Sequence, residues 1–134
     1  MSTNYSQIHL KNILEEVRTI ALIGASTNPE RDSFKVMKFL LDKGYKIFPV
    51  NPKEANILGS KCYQSLTSID ERVDMVDIFR AKEFVFDLTK AAIRINAKII
   101  WMQEGIIDEK SSSLAMSCGI KVVMDKCPKK VLES

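Results

Sequence analysis

The residues best suited to chemistry in this sequence lie in a loop that begins at Gly24. An apolar run, Ile20–Ile23, ends there, and the small residues Ala25 and Ser26 follow before a helical pattern starts near Ser33. A glycine lets a ligand approach the backbone, and the amino terminus of a helix offers free N–H groups and a partial positive charge. This combination indicates a site for a phosphate group.

Charged, aromatic and amide side chains also follow three other apolar runs. They are Lys53, the pair Phe79 and Arg80, and the segment Gln103-Glu104-Gly105. The carboxyl ends of parallel strands meet at one edge of a sheet, and ligands bind there, near the point where strand order reverses. We therefore expect these residues to share one cleft with Gly24, and the charge of Arg31 in the first loop to reach a phosphate.

The elements that must position these residues alternate between strands and helices. Short apolar runs without polar alternation are typical of strands covered on both faces. The pattern predicts an α/β, Rossmann-like, doubly wound five-stranded parallel sheet of order 3-2-1-4-5, with helices on both faces and one further helix at the amino terminus. The expected strands are 19–23, 46–50, 73–79, 98–102 and 120–124, and the expected helices are 6–17, 33–43, 83–96 and 109–118.

The segments outside these elements are predicted to be irregular. We expect a loop after Lys53 with one short helical turn near 68–71, and a tail after Asp125 whose lysines are solvated. Residues 1–134 are expected to form a single domain, because 134 residues suit one core of ordinary size.

Composition narrows the classes of function. The net charge of +3 is small, so neither a nucleic-acid partner nor a membrane partner is expected. The first ten residues lack the basic and apolar regions of a secretory signal. Three cysteines without metal-type spacing and one histidine, His9, favour reduced thiols, a cytoplasmic location and no metal.

The type of nucleotide is harder to choose from the residues alone. A dinucleotide fingerprint has three glycines, whereas this loop has only Gly24, with Ser26 and Pro29 where glycines would stand. The residue expected near the ribose is Lys53 instead of an acid, which suits a phosphorylated ribose. Coenzyme A (CoA) and NADP both carry such a phosphate, so charge leaves both open.

Five segments in order resemble a known family. IALIGASTNPERDSF, FPVNPK, VDMVDIF, MQEGI and VVMDKCP look like the small stand-alone CoA-binding proteins, which resemble the amino-terminal CoA-binding domain of the succinyl-CoA synthetase alpha subunit. The likeness extends from about Val17 to Pro128. It implies a CoA-binding Rossmann-like fold. The catalytic histidine of the synthetase belongs to a second domain, and His9 matches nothing there, so we do not expect the ligase reaction.

The same resemblance implies roles for individual residues. Gly24, Ala25 and Ser26 would contact the CoA phosphates, and Lys53 would meet the nucleotide end. Phe79 and Arg80 would border the adenine or pantetheine path. Gln103-Glu104-Gly105 is similar to a Thr-Glu-Gly segment that touches the cofactor, although Gln replaces Thr here.

Other reactive side chains have simpler explanations. Cys127 is expected near the mouth, where a mixed disulfide with a CoA thiol is conceivable, but a packing role is favoured. Asp74 and Asp77 stand at i and i+3 on a strand, so they point to opposite faces and do not form an acid–base pair. Glu104 is the one acid placed in the mouth.

The favoured expectation is a CoA- or acyl-CoA-binding protein without catalysis of its own, acting as a sensor or carrier. A small NADP-dependent oxidoreductase is the alternative, and an interaction module that keeps the fold without the ligand is a third possibility. The sequence assigns no catalytic residue and no protein partner.

Overall fold

The computed structural model of the chain describes residues 3–134 and centres on a five-stranded parallel sheet. The first two residues of the predicted domain lie outside the described part. In chain order the elements are α1 (Gln7–Glu16), β1 (Thr19–Ile23), α2 (Asp32–Asp42), β2 (Lys46–Val50), β3 (Asn56–Ile57), β4 (Ser60–Lys61), a 3₁₀ turn (Leu66–Ser68), β5 (Met75–Ile78), α3 (Lys82–Arg94), β6 (Ile99–Met102), α4 (Glu109–Ser117), β7 (Lys121–Val123) and α5 (Pro128–Glu133).

The sheet has the spatial order β2-β1-β5-β6-β7, while β3 and β4 form a separate antiparallel hairpin. All four neighbouring pairs in the main sheet are parallel. The predicted α/β, doubly wound class is therefore confirmed. The bounds of the first two strands, Thr19–Ile23 and Lys46–Val50, agree with the predicted bounds.

The strand order needs one correction. Along the chain the main-sheet strands are ordered 2-1-3-4-5 and not 3-2-1-4-5, because β5 pairs with β1. The position outside β2 is taken by Tyr63, which forms an isolated parallel bridge with Val50. Its N–H donates to the Pro49 carbonyl and its carbonyl accepts from the Asn51 N–H, both at 2.9 Å. One bridging residue is too short to show a strand pattern, so the sequence placed the next full strand there.

Both faces of the sheet are covered, which explains the absence of polar alternation. Ile20 and Leu22 of β1 pack with α1, α2 and α5, whereas Ala21 and Ile23 pack on the opposite side with α3 and α4. Trp101, in the first of these clusters, is fully buried. The predicted helices on both faces are confirmed.

Pro49 is tolerated inside β2 because of the direction in which its backbone points. Its carbonyl accepts from Tyr63 on the outer side of β2, while the next carbonyl, that of Val50, faces β1 and the loop after it. A proline in that position loses no hydrogen bond with the neighbouring strand, which is the usual condition for proline in a sheet.

The carboxyl-terminal stretch is the main element that sequence reasoning missed. The expected tail is instead the helix α5, which begins with Pro128 and buries Val131. Gln7 Nε2 donates to the Val131 carbonyl at 3.0 Å, and Lys11 Nζ donates to the Ser134 carbonyl at 2.7 Å. These bonds fix α5 against α1, and the Lys126 N–H, which donates to the Met102 carbonyl at 3.3 Å, holds the turn before α5 beside the end of β6.

Candidate functional site

The carboxyl edge of the sheet, where β2, β1, β5 and β6 end, carries the predicted site residues. Gly24 has a φ of +88°, and a Cβ atom on it would lie 2.5 Å from the Phe79 carbonyl oxygen and 3.3 Å from Arg80 Cδ. Only glycine fits a position that has both a left-handed backbone and so close a contact. The first loop is thereby packed directly on the Phe79–Arg80 segment, as the sequence predicted for two strand ends that share a cleft.

The loop after β1 already uses some of its backbone donors. The N–H groups of Gly24 and Ala25 both donate to the Val50 carbonyl, at 3.2 and 3.3 Å. The N–H groups of Ser26 and Thr27 have no hydrogen-bond partner among residues 3–134. Of the three loop residues expected to contact phosphates, only Ser26 therefore offers a backbone donor, and Thr27 is an additional one.

Asn51 ties the end of β2 to this loop. Its Nδ2 donates to the Ala25 carbonyl at 2.8 Å, and its Oδ1 accepts from the Lys53 N–H at 2.9 Å. Lys53 itself is exposed, so its ammonium group is available to a ligand at this end of the edge. Arg31 is also exposed and stands at the N-cap position of α2, outside the cavity described next.

A cavity of about 440 Å³ opens beside the ends of β5 and β6, between α2 and α5. It takes in four predicted residues: Phe79, Arg80, Gln103 and Glu104. The remaining lining residues were not predicted as site residues. They are Asp32, Lys35, Val36, Ala81, Ile106, Cys127, Lys129, Lys130 and Glu133. Most of them belong to α2 and to the missed helix α5.

The turn before α5 is held by hydrogen bonds to β6 and its loop. Trp101 Nε1 donates to the Lys126 carbonyl at 2.9 Å, and the Lys126 N–H donates to the Met102 carbonyl at 3.3 Å. The Gly105 N–H donates to Asp125 Oδ1 at 2.7 Å. Gly105 therefore anchors this turn and does not line the cavity, although it was grouped with the cofactor contacts.

The charges around the cavity divide into paired and unpaired groups. Lys130 contacts Glu104 and Lys129 contacts Glu133, each at 2.9 Å, and the hydrogen bond that the Lys130 ammonium donates to Glu104 raises the pKa of Lys130. Lys35 makes no ion pair within the described chain, and the Arg80 guanidinium lies 4.1 Å from the centre of the Phe84 ring. Two cations are thus available to an anion, with Asp32 as the opposing carboxylate.

Comparison with known proteins shows to which family the chain belongs. Residues 18–133 match the family described as a CoA binding domain. The chain belongs to this CoA-binding family. The resemblance read from the five sequence segments is confirmed.

Relatives of the CoA-binding chain differ greatly in length. YneT of Bacillus subtilis is 36% identical over 126 residues, covering 94% of this chain and 93% of the relative. An ADP-forming acetate–CoA ligase of Methanocaldococcus jannaschii is 27% identical and matches 82% of this chain, which spans only 17% of the ligase. A hypothetical protein from Pyrococcus horikoshii OT3 superposes with a TM-score of 0.93 at 35% identity, covering 98% of this chain and 92% of that one.

Gln103 is the most informative side chain in the cavity of this CoA-binding domain. It is only 6% exposed, and its Oε1 is buried without any hydrogen-bond partner in the described structure. Buried amide oxygens are nearly always paired, since an unpaired one loses its bonds to water without replacement. The sequence identified this position only through its place after β6, and nothing in the sequence could show that the oxygen is unpaired.

The pKa values of two aspartates near β5, Asp74 and Asp77, are shifted in opposite directions. Burial opposes ionisation of Asp74, but the N–H groups of Arg18 and Thr19 and the charges of Lys98 and Arg72 outweigh it and lower its pKa. Asp77 is fully buried with both oxygens unpaired in the described chain, and burial raises its pKa well above the usual value. Asp77 therefore carries a proton over a wider pH range than an exposed aspartate. Asp74 lies just before β5 and Asp77 within it, and no hydrogen bond joins the two carboxyl groups in the described chain.

Neither a metal site nor a membrane helix is found in the part of the chain that the structure describes. Among the described residues, no group of three or more His, Cys, Asp or Glu side chains is arranged to hold a metal ion. No helix between residues 3 and 134 is long and apolar enough to cross a bilayer.

Proposed function

We propose that this chain binds CoA or an acyl-CoA across the carboxyl edge of its sheet and acts as a sensor or carrier without catalysis of its own. The observation that carries the proposal is the match of residues 18–133 to the CoA binding domain. It is supported by the close packing of Gly24 on the Phe79–Arg80 segment, which joins the phosphate-type loop to the cavity wall.

The proposed pose runs along the edge from β2 to β6. The diphosphate meets the N–H groups of Ser26 and Thr27, with Arg31 nearby, and the phosphorylated ribose meets Lys53. The pantetheine arm enters the cavity between Arg80 and Gln103. Because β2 and β6 are three strand spacings apart, this path is roughly 14 Å long before the arm turns inward.

One feature supports binding over catalysis, and another supports CoA over NADP. Glu104 and Glu133 are engaged in ion pairs with Lys130 and Lys129, so neither is poised to remove a proton from a ligand. The family match also concerns CoA, and nothing in the comparisons points to an NADP-dependent oxidoreductase. We therefore do not carry the NADP alternative further.

Isothermal titration calorimetry with CoA, dephospho-CoA and NADPH tests the proposal. We expect saturable binding of CoA and no comparable binding of NADPH. The change Lys53→Glu should weaken CoA about tenfold, equivalent to about 1.4 kcal/mol, because it replaces an attraction to the ribose phosphate by a repulsion. Dephospho-CoA, which lacks that phosphate, should lose much less.

The matched control is Lys98→Glu, which makes the same change in charge at the opposite edge of the sheet. It should leave the affinity for both ligands unchanged. Equal losses for CoA and dephospho-CoA in Lys53→Glu would refute the role given to Lys53. Absence of CoA binding at millimolar concentration would refute the proposed function itself.

A further inference from the structure

The three cysteines occupy three different environments. Cys62 is buried, and its thiol faces the carbonyls of Asn51 at 3.4 Å and Tyr63 at 3.9 Å, while burial raises its pKa. Cys118 is exposed at the amino edge of the sheet. Cys127 lines the carboxyl-edge cavity and is 7% exposed, and its thiol makes no hydrogen bond within the described residues. Of the three cysteines, Cys127 alone is both buried and part of the lining of the carboxyl-edge cavity.

A second observation in the same cavity points to the kind of ligand. The unpaired Oε1 of Gln103 requires a donor, and Gln103 and Cys127 both line this cavity. The pantetheine arm of CoA has two amide N–H groups and ends in a thiol. An arm that donates an amide N–H to Gln103 therefore has its sulfur end inside the cavity that contains the Cys127 thiol.

We propose that Cys127 is a site of reversible covalent modification by CoA. Resting on the proposed function, this inference adds a chemical step to it. The Cys127 thiolate attacks the sulfur of the bound half of a CoA disulfide, and a bond forms between Cys127 Sγ and that sulfur. The original sulfur–sulfur bond breaks, and the second CoA leaves as a thiolate that takes a proton from water. One disulfide is consumed and one is formed, so no further oxidant is needed.

The charges of the cavity suit this exchange. Lys129 and Lys130 stand on the helix that begins just after Cys127, and both line the cavity that Cys127 lines. Ammonium groups favour both the attacking and the departing thiolate. Their partners Glu133 and Glu104 weaken this field, whereas the unpaired cations Lys35 and Arg80 strengthen it.

This exchange distinguishes CoA disulfide from acyl-CoA. CoA disulfide carries an exchangeable sulfur–sulfur bond and is captured at Cys127. An acyl-CoA occupies the same cavity, but its sulfur is held in a thioester and forms no disulfide. Acyl-CoA is therefore a reversible competitor of the covalent reaction, and a thiol reductant restores the unmodified protein.

The test compares CoA disulfide with glutathione disulfide on the unaltered protein, followed by intact mass and peptide mapping. Binding near the thiol should make modification of Cys127 by CoA disulfide at least about tenfold faster than by glutathione disulfide. The exposed Cys118 should react with both reagents at similar rates. Acetyl-CoA should slow the reaction at Cys127 and leave Cys118 unaffected.

Two variants sharpen the assignment. Cys118→Ser should retain the selective CoA adduct, and Gln103→Leu should lose most of the preference for CoA disulfide. If CoA binds by calorimetry but Cys127 stays unmodified, or reacts equally with both disulfides, the inference is wrong and the proposed function stands. If CoA does not bind at all, the proposed function fails and this inference fails with it.

Discussion

Two buried polar side chains at opposite edges of the parallel sheet, Asp74 and Gln103, differ in whether the protein itself supplies their hydrogen-bond partners. At the amino edge, one oxygen of Asp74 accepts N–H groups from Arg18 and Thr19 at 2.8 and 3.2 Å, and the other faces Arg72 at 3.4 Å. At the carboxyl edge, Gln103 Oε1 is buried with no partner in the described chain. A carboxylate that the protein itself satisfies is structural, whereas a buried amide left unpaired points to a group supplied from outside.

We expect the largest effect on the free energy of unfolding from a comparison of two glycines, Gly24 at the carboxyl edge and Gly119 at the amino edge. Gly24→Ala should lower the free energy of unfolding by about 3 kcal/mol, because the left-handed backbone and the contact with the Phe79 carbonyl both oppose a Cβ. Gly119 has a φ of +81° with nothing within 4 Å, so Gly119→Ala should cost only about 1 kcal/mol. Urea unfolding measures both. Equal costs would show that the packing at Gly24 is not tight.

The unpaired carboxyl of Asp77 should make stability depend on pH. Its pKa is raised in the folded state, so the folded protein retains a proton that the unfolded chain loses above its ordinary pKa of 3.8. Stability should fall by about 1.4 kcal/mol per pH unit in the window above 3.8, up to the folded pKa. Asp77→Asn should remove this slope and thus gain stability over the parent as pH rises.

The control for this slope is Asp87→Asn, since Asp87 lies exposed on α3 beside Lys90. That variant should keep the pH dependence of the parent protein. Thermal unfolding between pH 4 and pH 8 distinguishes the variants, and a parent whose stability is flat across this range would contradict a protonated Asp77.

Asp74, the hydrogen-bonded carboxylate at the amino edge, should make stability depend on pH in the opposite direction. Asp74→Asn should cost about 2 kcal/mol near neutral pH, because a charged acceptor of two backbone N–H groups is lost. The pKa of Asp74 is lowered in the folded state, so its contribution is complete above the ordinary value of 3.8 and disappears as the pH falls through the folded pKa. CoA affinity, measured by calorimetry, should not change, and a large loss of affinity would place the ligand at the wrong edge.

The smallest effect concerns binding alone. Gln103→Leu should weaken CoA about tenfold, equivalent to about 1.4 kcal/mol, while the free energy of unfolding stays the same or rises. The reason is that an unpaired amide contributes nothing to the free protein but gains a donor from the ligand. A variant that loses stability and keeps its affinity would mean that Gln103 is part of the core and not of the site.

Much of this arrangement could be predicted from the sequence, because the strand ends are marked by local residue types. The runs that precede Gly24 and Gln103 both have unambiguous apolar patterns, and a parallel sheet brings their ends to one edge. The position of β5 was missed because Tyr63, a single bridging residue, fills the place outside β2. A strand can be recognised in a sequence only when several consecutive residues show its pattern.

The side of the cavity that α5 forms was not predicted, for a different reason. The helix α5 is only six residues long and contains two lysines, so its apolar spacing is too brief to distinguish it from a solvated tail. Its position depends on contacts distant in sequence, such as the bond from Gln7 to the Val131 carbonyl. Cys127 was expected near the mouth because it follows the last strand, but the helix that begins just after it and lines the same cavity was not.

The most direct test of the account is an NMR titration of the ¹⁵N-labelled protein with CoA. Backbone signals should shift at the carboxyl edge, at Ser26, Thr27 and Gln103, whereas those at the amino edge, at Asp74 and Lys98, should stay in place. Shifts concentrated at the amino edge, or none at millimolar CoA, would contradict it.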